Sequence, residues 1–491
     1  MSNMFSKIIS NKLLILIIFL TFIKGLFWTG IVPLFQVPDE HHHYATIQHY
    51  AEPKDYKPLS NDFPIGHIIF NDTRTQNLSP ELKAFLKATQ FDEIRFNPES
   101  KLTPIDNNIS ENKLRENKLS HFVEKYPAWY IKKASIYYNI ASIGEKIFYN
   151  FSIMERAYIA RIFSIILTTL TILFSYFIFR KLYFNKLESS LSAGIISFHP
   201  MFSFMSSSIN LDSMLFLSFT IFTLGIISAL KDKLNKKNAL LIIFGIFLAI
   251  NTKQPGYFLF LPLIISVLFY IAIYRLDKIK KLSKLQKIAL LSTLLPLILS
   301  LLYFTLIKFF SLFDRTNSVF NLDKYIEYHL QFSLFIDRSL SYWGNFGWLN
   351  IPISTNIIFI IWIFLFLATL GITLFIVDKI RKWKKLNIND KILFFQVLTL
   401  LIITVGLNLL IHFVNFQQSN INDLGNPLKS IGTQGRYFLP AIVSKFAILI
   451  IGISYLFKKF KREKIIFVIF FMMIILNTIS LFNYVIPRFY L

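Results

Sequence analysis

Two carboxylates and three histidines follow the first long apolar run of this 491-residue sequence, in the stretch PDEHHHY from Pro38 to Tyr44. Because proline cannot continue a helix but fits the first turn of one, Pro38 predicts a new helix. On that helix Asp39 and Glu40 would both align with His43. Such a group can supply a general base, or its carboxylates and imidazole can hold a divalent cation. A structural interpretation is also open, since acidic side chains stabilise helix N-termini.

The composition predicts a membrane protein with many spans. Hydrophobic residues make up 54% of the chain and charged residues 16%, whereas soluble domains average about 45–50% apolar residues. The net charge of +24 does not predict nucleic-acid binding, because the basic residues lie in short clusters between apolar runs. The chain has no cysteine, which excludes disulfides, thiolate metal sites and cysteine nucleophiles.

Eleven apolar runs approach the ~20 residues that a membrane-spanning helix needs. They cover residues 13–35, 157–179, 190–209, 212–230, 238–252, 256–274, 288–310, 355–377, 392–414, 437–457 and 465–486. The first run is longer than the ~7–15 apolar residues of a signal peptide, so we interpret it as a retained span. The sequence therefore predicts an all-α integral membrane protein with about 11 transmembrane helices, forming one polytopic domain over residues 1–491.

Basic residues divide the connecting loops into two sets. Residues 180–186, 231–237, 275–287, 378–385 and 458–464 are rich in lysine and arginine, whereas 36–156, 311–354 and 415–436 are acidic or balanced. The positive-inside rule then predicts a cytoplasmic N-terminus and an extracytoplasmic C-terminus, in the cytoplasmic (inner) membrane. The outer loop 36–156, between the first and second spans, is expected to carry amphipathic helices along the membrane surface. One of them would begin at Ser79 and Pro80.

The stretch VPDEHHHYATIQHYAE resembles the first outer-loop signature of the GT-C glycosyltransferase superfamily, Pro-Asp-Glu-x-x-His-aromatic. One position departs from it, since His41 stands where the signature usually has proline. Four further stretches extend the resemblance along the chain: HPMFSFMSSSINLDSM, TKQPGYFLFLP, WGNFGWLNIP and QGRYFLP. With them the whole chain is similar to a family of bacterial multi-pass proteins of unknown function that is grouped near those transferases.

The resemblance implies a GT-C-like fold and an inverting glycosyltransferase. Enzymes of that superfamily move a sugar from a polyprenyl-phosphate carrier to an acceptor on the outer face of the membrane. Here the acceptor would be a glycan, a lipid or a protein of the cell surface. Asp39 would be the general base or a cation ligand, with Glu40 as its partner. The metal set would be Asp39, Glu40 and His43, holding Mg²⁺ or Mn²⁺.

A donor phosphate needs cations, and three basic residues are predicted to bind it: Lys253, Arg436 and Arg161. Arg161 lies about one and a half turns into the second span, where it needs a partner or water. The predicted substrate-binding residues are His43, Tyr44, Asn210, Asp212, Gln254, Trp348 and Tyr437. The alternatives are snorkelling or interface anchoring for Lys253, Arg436 and Trp348. Asn210 and Asp212 could instead cap a helix.

Two other functions remain open at this level. A transporter or flippase of lipid-linked sugars predicts polar groups that reach the membrane midplane and an internal repeat, and neither is detected in the sequence. A membrane assembly protein would bind a partner through the outer loop, with the acidic-histidine stretch as a sensor of pH or metal. His199, within the third predicted span, could belong to a site or hydrogen-bond across helices.

Overall fold

The computed structural model describes residues 11–53, 78–101, 120–123, 135–275, 283, 322–330, 332–421 and 434–491. The described chain is almost entirely helical. Its two short strands, β1 (Asn345–Phe346) and β2 (Ile351–Pro352), pair antiparallel. The prediction of an all-α integral membrane protein is confirmed at this level, since long apolar helices make up most of the described structure.

Helices are numbered in chain order. They are α1 (Lys12–Ile31), α2 (Glu40–Ala51), α3 (Pro80–Ala88), α4 (Phe91–Phe96), α5 (Ile136–Ile147), α6 (Ile153–Lys181), α7 (Lys186–Ser197), α8 (Pro200–Ser206), α9 (Asp212–Asp232), α10 (Lys236–Ile250), α11 (Phe260–Tyr274), α12 (Leu322–Leu330), α13 (Phe332–Trp343), α14 (Thr355–Arg381), α15 (Ile388–Ile421), α16 (Ile442–Leu456), α17 (Arg462–Ile479) and α18 (Ile486–Tyr490). Short 3₁₀ segments at Gln254–Leu259 and Gly435–Ala441 extend α11 and α16 at their N-terminal ends, and a π-helical turn joins α17 to α18.

Eight helical segments of the described chain are long and apolar enough to cross a membrane. They are Lys12–Ile31, Ile153–Lys181, Asp212–Asp232, Gln254–Tyr274, Thr355–Arg381, Ile388–Phe413, Gly435–Leu456 and Arg462–Tyr490. Each coincides with one predicted span. Of the other three predictions, 288–310 lies outside the described residues, 238–252 corresponds to the 15-residue α10, and 190–209 is two helices. The predicted count of eleven is therefore not confirmed.

The third predicted span is interrupted at Pro200. Proline lacks an N–H and disfavours a helical conformation in the residue before it, and His199 is accordingly extended, with φ −66° and ψ 123°. The Nδ1 atom of His199 accepts a hydrogen bond from the Phe202 N–H at 3.2 Å, which caps α8. The sequence prediction missed this break because the apolar residues continue through it.

The bundle is built around α9, whose apolar span is enclosed on all sides. It packs against α6, α10 and α15, and buries phenylalanines such as Phe216, Phe219 and Phe222. On one side of the bundle α14 and α16 cross where Gly371 meets Gly452. A Cβ on Gly371 would lie 2.0 Å from the Gly452 carbonyl oxygen, so this close crossing requires glycine.

The connections gather on two sides of the bundle. The basic side carries the described Lys/Arg-rich loops, and there Arg462 donates to Glu188 at 2.6 Å. The loop side carries the described parts of residues 36–156. On the loop side Arg488 donates to the carbonyl of Asn97 at 3.1 Å, and the Tyr490 hydroxyl donates to the carbonyl of Ile31 at 2.8 Å. The C-terminus therefore lies on the same side as the long first loop.

The helices of the first loop lie against the loop-side ends of the spans. The predicted start of α3 is confirmed, since the Ser79 hydroxyl accepts from the Leu82 N–H and Pro80 is the first helical residue. α5 is amphipathic: Tyr137 and Tyr138 are buried, whereas Ile140, Ile143 and Ile147 are exposed. An apolar face of this kind is typical of a helix that lies at a membrane surface.

Candidate functional site

The acidic pair begins α2, but its two members point to different partners. Asp39 precedes the helix and has a left-handed backbone with φ 68°, whereas the sequence predicted it as a helical residue. The left-handed region is sparsely populated by residues other than glycine, although aspartate tolerates it better than most. Of the predicted group of Asp39, Glu40 and His43, Asp39 and His43 remain close enough to interact electrostatically, whereas Glu40 is paired with Arg161.

Glu40 is fully buried and all its hydrogen-bonding capacity faces the protein. Its Oε1 accepts from Arg161 Nε at 2.7 Å and from the Ile209 N–H at 2.9 Å. Its Oε2 accepts from Arg161 Nη2 at 2.7 Å and from the Phe35 N–H at 2.9 Å. Glu40 thus joins the start of α2 to the turn before it, to α6 and to the chain between α8 and α9.

Arg161 is saturated in the same way. Besides Glu40, its Nη1 donates to the carbonyls of Thr29 and Val32 and its Nη2 to that of Pro33. These contacts use the five N–H groups of a guanidinium and satisfy carbonyls at the C-terminal end of α1. The prediction that Arg161 needs a partner is met by Glu40. No N–H remains for the donor phosphate that the sequence analysis assigned to it, so we remove Arg161 from the phosphate-binding set.

Asp39 instead faces Arg436. Arg436 Nη2 donates to Asp39 Oδ2 at 2.8 Å, and Arg436 Nη1 donates to the Pro38 carbonyl at 3.3 Å. The Nε–H of Arg436 has no hydrogen-bond partner among the described residues. Arg436 is brought to this position by Gly435, which packs so closely on α13 that a Cβ would lie 2.2 Å from the Tyr342 nitrogen. Two residues 397 positions apart are therefore in direct contact.

Lys253 and Asp212 form a second ion pair beside the first. Lys253 Nζ lies 2.7 Å from Asp212 Oδ1, and the Tyr437 ring lies between the two cations, 5.2 Å from Lys253 Nζ and 5.3 Å from the Arg436 guanidinium. Asn210 stabilises the turn that leads into α9, because its Oδ1 accepts from the Asp212 N–H at 2.8 Å, while Leu211 is the N-cap residue of that helix. The turn contact and the ion pair are thus divided between the two predicted residues.

His43 lies at the centre of these charges. Its Nδ1 is hydrogen-bonded to the Tyr138 hydroxyl at 2.6 Å. Burial lowers the pKa of His43 to about 3, although the carboxylates of Asp39 and Asp212 oppose the shift. The imidazole is therefore neutral near pH 7 and can accept or donate a hydrogen bond without adding charge. Tyr138, from the long loop, was not predicted, because nothing distinguishes it from its tyrosine neighbours in sequence.

We call Asp39, His43, Asp212, Lys253, Arg436 and Tyr437 the rim cluster. Burial opposes ionisation of Asp39, but the charge of Arg436 and its hydrogen bond hold the pKa of that carboxyl below its ordinary value. The cluster is accessible in part, since the side chain of Asp39 is 27% exposed and that of Lys253 is 32% exposed. Two carboxylates and two cations balance one another at the loop-side end of the bundle.

A second charged group, the anchor cluster, consists of Tyr44, Gln48, Glu81, Glu145 and Arg156. Arg156 donates to both Glu81 and Glu145, and the Tyr44 hydroxyl donates to Glu145 at 3.1 Å. Gln48 Nε2 donates to Glu81 at 2.6 Å. Tyr44, predicted to bind substrate, is fully buried here instead. The anchor cluster ties α2, α3 and α5 to the start of α6.

The predicted metal set is not assembled. Glu40 is bonded to Arg161, Asp39 to Arg436 and His43 to Tyr138. Among the described residues the one group with metal-ligand spacing is Glu81, His121 and Glu145, whose ligand atoms lie within 4.8 Å of one another. Arg156 already supplies a positive charge to both of those glutamates, which leaves that group little demand for a cation.

Gln254 and Trp348, which were also predicted to bind substrate, do not take part in either ion pair. The Gln254 side chain is exposed, one residue beyond Lys253. Trp348 lies in the turn between β1 and β2, and its ring is 3.7 Å from the Arg95 guanidinium and 5.7 Å from the His41 ring. That ring is occupied by protein contacts, which support a role in docking α4 onto the bundle.

A third polar group is built on two of the spans and on the chain packed against them, and the sequence analysis missed it apart from His199. This intramembrane cluster consists of Lys24, His199, Ser203, Tyr342 and Lys445. Lys24 Nζ donates to Ser203 Oγ at 2.7 Å, and Lys445 Nζ lies 3.5 Å from the centre of the Tyr342 ring. The Tyr342 and His199 rings are 5.0 Å apart. A sequence signal existed, because each lysine interrupts an apolar run.

The fold and the site define the class as a multi-pass helical membrane protein with a charged rim cluster at one end of its bundle. The chain belongs to the DUF2142 family of predicted membrane proteins, whose family model matches residues 22–445. The expected membership of a multi-pass family of unknown function is thereby confirmed. Comparisons with curated proteins and with solved structures found no match.

Proposed function

We propose that this protein is a glycosyltransferase that moves a sugar from a polyprenyl-phosphate donor to an acceptor hydroxyl. The observation that carries the proposal is the ion pair of Asp39 with Arg436, beside that of Asp212 with Lys253. A partly exposed carboxylate next to two cations and a neutral imidazole suits a reaction in which a hydroxyl loses its proton and a phosphate departs. The resemblance of the PDEHHHY stretch to the GT-C signature supports the same reaction.

We place this reaction on the extracytoplasmic face of the cytoplasmic membrane. The rim cluster lies on the loop side, opposite the Lys/Arg-rich loops, and the positive-inside rule assigns those loops to the cytoplasm. A lipid-linked donor in that leaflet would reach the cluster from the surrounding lipid. The acceptor would be a glycan, a lipid or a protein at the cell surface, and the transfer would modify surface glycans or glycolipids.

Donor binding would rearrange the ion pairs. Phosphate oxygens compete with carboxylates for a guanidinium and for an ammonium, and the Nε–H of Arg436, which has no partner among the described residues, offers a first contact. Once phosphate shares the charge of Arg436, the main influence that lowers the pKa of Asp39 weakens. Asp39 would then be a stronger base when the donor is bound than when the site is empty.

The transfer itself would be a single displacement. Asp39 takes the proton of the acceptor hydroxyl while the acceptor oxygen forms a bond to the anomeric carbon of the sugar. The bond from that carbon to the phosphate oxygen breaks, and the electron pair leaves with the lipid phosphate. Lys253 and Arg436 neutralise the departing charge, and attack from the opposite face inverts the anomeric centre. A divalent cation, Mg²⁺ or Mn²⁺, is a component to be tested in the assay.

Glu40 and Arg161 have a positioning role in this scheme. They fix the turn between α1 and α2 through the Phe35 N–H and the carbonyls of α1, and so hold Asp39 in its left-handed conformation against Arg436. Backbone strain of this kind is maintained where the surrounding structure over-determines it. The carboxylate predicted as the catalytic partner would therefore act through Asp39 rather than on the substrate.

The test uses purified full-length protein with labelled polyprenyl-phosphate hexoses and a mixture of acceptor glycans, with and without a chelator. We expect Asp39→Asn to lower transfer by at least about 100-fold, the order typical for loss of a general base. The unfolding temperature should change little, because asparagine can still accept from Arg436. The matched control is Asp92→Asn, which removes an exposed carboxylate from α4. Full transfer by Asp39→Asn would overturn the base role.

A transporter or flippase of lipid-linked sugars is the second candidate, and the intramembrane cluster favours it. Lys24 and Lys445 bring positive charge into two spans, as a pathway for a phosphate through the membrane requires. Protein reconstituted in vesicles distinguishes the two functions. A transferase links the labelled sugar to the acceptor, whereas a flippase moves the intact labelled lipid between leaflets and leaves Asp39→Asn active. An assembly role would show neither activity.

A further inference from the structure

The intramembrane cluster contains two lysines in an apolar environment. Lys24 lies in the span Lys12–Ile31 and Lys445 in the span Gly435–Leu456. No acidic side chain in the described part of the chain acts on either amine. A lysine at the centre of a span costs about 2.5–3.5 kcal/mol on insertion scales. Lys24 donates to the Ser197 carbonyl and to the Ser203 hydroxyl, but neither of those groups neutralises its charge. Two lysines without a carboxylate partner in the described part of the chain therefore favour a ligand with negative charge.

The other polar atoms of the cluster are also donors. Because His199 Nδ1 accepts from the Phe202 N–H, the proton of the neutral ring is assigned to Nε2. His199 is fully buried, and its Nε2 has no partner among the described residues. The Tyr342 hydroxyl is likewise buried without a partner in the described chain. Buried donors without acceptors are costly, and an anion with several oxygens would satisfy them together.

The two lysines approach the surroundings of His199 from two different spans. The charges of Lys24 and Lys445 both act on its ring. Lys24 is held by Ser203, which follows His199 in α8 and donates to the His199 carbonyl at 3.0 Å. Lys445 lies over the ring of Tyr342. The break at Pro200 is thus what turns the His199 ring toward α13 and α16 instead of leaving it in a continuous helix.

We propose that Lys24, His199, Tyr342 and Lys445 bind a phosphate group within the membrane. Phosphate matches the cluster because it carries negative charge and several acceptor oxygens, which suit two ammonium groups and two neutral donors. Both lysines are only partly buried, so a phosphate on an alkyl or isoprenoid chain could reach them from the surrounding lipid. Free inorganic phosphate offers the same chemistry and is the second source to be tested.

This site is separate from the rim cluster. Arg436 and Lys445 lie on the same helical segment, and nine residues of mixed 3₁₀ and α-helix correspond to roughly 15 Å along the axis. The two sites are nevertheless linked, because Ser341 accepts from the Gly435 N–H at 2.6 Å, and Tyr342 is the next residue. The proposal does not depend on transferase activity.

The experiment measures binding to the full-length protein in nanodiscs of a neutral phospholipid, with three probes. They are dodecyl phosphate, inorganic phosphate and dodecanol, which has the chain without the charge. Saturable binding of dodecyl phosphate or of inorganic phosphate supports the site, and the tighter of the two identifies the source. We expect Lys24→Met and Lys445→Met each to weaken binding at least about tenfold, as loss of a charge-assisted contact does.

Controls separate a loss of binding from a loss of folding and from a general effect of removing a surface charge. Lys458→Met removes an exposed lysine just beyond α16 and should bind as the unmodified protein does. Lys24→Arg and Lys445→Arg keep the positive charge and should retain most of the binding. They therefore test the role of the charge even where a methionine variant folds poorly. Asp92→Asn, which removes an exposed carboxylate from α4, should also bind unchanged. Equal binding of dodecanol and dodecyl phosphate, or unchanged binding in both methionine variants, would overturn the proposal.

Discussion

The rim cluster and the anchor cluster use the same residue types in opposite ways. In the anchor cluster Arg156 is fully buried and bonded to two glutamates, which also accept from a tyrosine and a glutamine. In the rim cluster each cation has one carboxylate, Asp39 and Lys253 are about 30% exposed, and Arg436 keeps an unused N–H. A saturated, buried network fixes helices to one another. A partly satisfied, accessible one can exchange its partners for a substrate.

The adjacent residues Asp39 and Glu40 show the same contrast within one turn. Glu40 is as buried and as saturated as the anchor cluster, whereas Asp39 belongs to the rim cluster. A sequence signature that contains both acids does not distinguish them. The distinction depends on which arginine each meets: Arg161 lies in the second predicted span, and Arg436 immediately precedes the tenth.

The largest expected loss of stability comes from breaking the buried ion pair of Glu40 with Arg161. Glu40→Gln leaves Arg161 charged, buried and without its counter-ion, which costs on the order of 3–5 kcal/mol. Asp39→Asn, the same chemical change one residue away, should cost about 1 kcal/mol or less, as for accessible pairs. Unfolding of the detergent-solubilised variants measures both. Equal losses of stability would show that the contrast between scaffold and site is wrong.

A second, smaller effect concerns pH and the anchor cluster. Burial raises the pKa of Glu81 to about 7, although Arg156 opposes the shift. A raised pKa in the folded state means that the contribution of Glu81 to stability is full below its unfolded pKa of about 4.5 and is lost as pH rises to about 7. We expect this loss to be on the order of 1–3 kcal/mol.

Thermal unfolding between pH 4.5 and pH 7.5 tests this prediction. Glu81→Gln cannot titrate, so its stability should vary less over that window than that of the unmodified chain. Asp92→Asn, which changes an exposed acid on α4, should keep the original pH dependence. A Glu81→Gln profile that is parallel to the unmodified one would mean that Glu81 does not titrate in this range.

The smallest expected effect tests whether Tyr138 acts with the rim cluster or only supports the fold. Tyr138→Phe removes one hydrogen bond to His43, which is worth about 1 kcal/mol. Because the hydroxyl orients a ring beside Asp39, transfer should fall more than stability does. Tyr137→Phe is the matched control, since the neighbouring hydroxyl bonds to Ser164 and not to the rim cluster. Equal effects of the two variants on transfer would place Tyr138 with the scaffold.

The sequence located much of what the structure contains. Lys253 and Arg436 were identified because each stands at the outer end of a predicted span, where a donor phosphate would need a cation, and both lie in the rim cluster. The roles of Glu40 and Arg161 could not be separated in advance, since a buried pair and a catalytic pair have the same composition. The contacts of Tyr138 and Arg156 join segments distant in sequence, and no periodicity reports such contacts.

By itself, the sequence determined the class of protein, the positions of eight helices that are long and apolar enough to cross a membrane, and the division of the loops into a basic set and an acidic or balanced set. These properties follow from local hydrophobicity and charge, because the length of an apolar run and the charge of the loops beside it decide whether and how a segment inserts in a bilayer. Only the tertiary structure decided which carboxylate meets which cation. Burial, backbone conformation and the number of hydrogen bonds at each group depend on helices that pack together from distant parts of the chain, and these factors leave Asp39 accessible while Glu40 is enclosed.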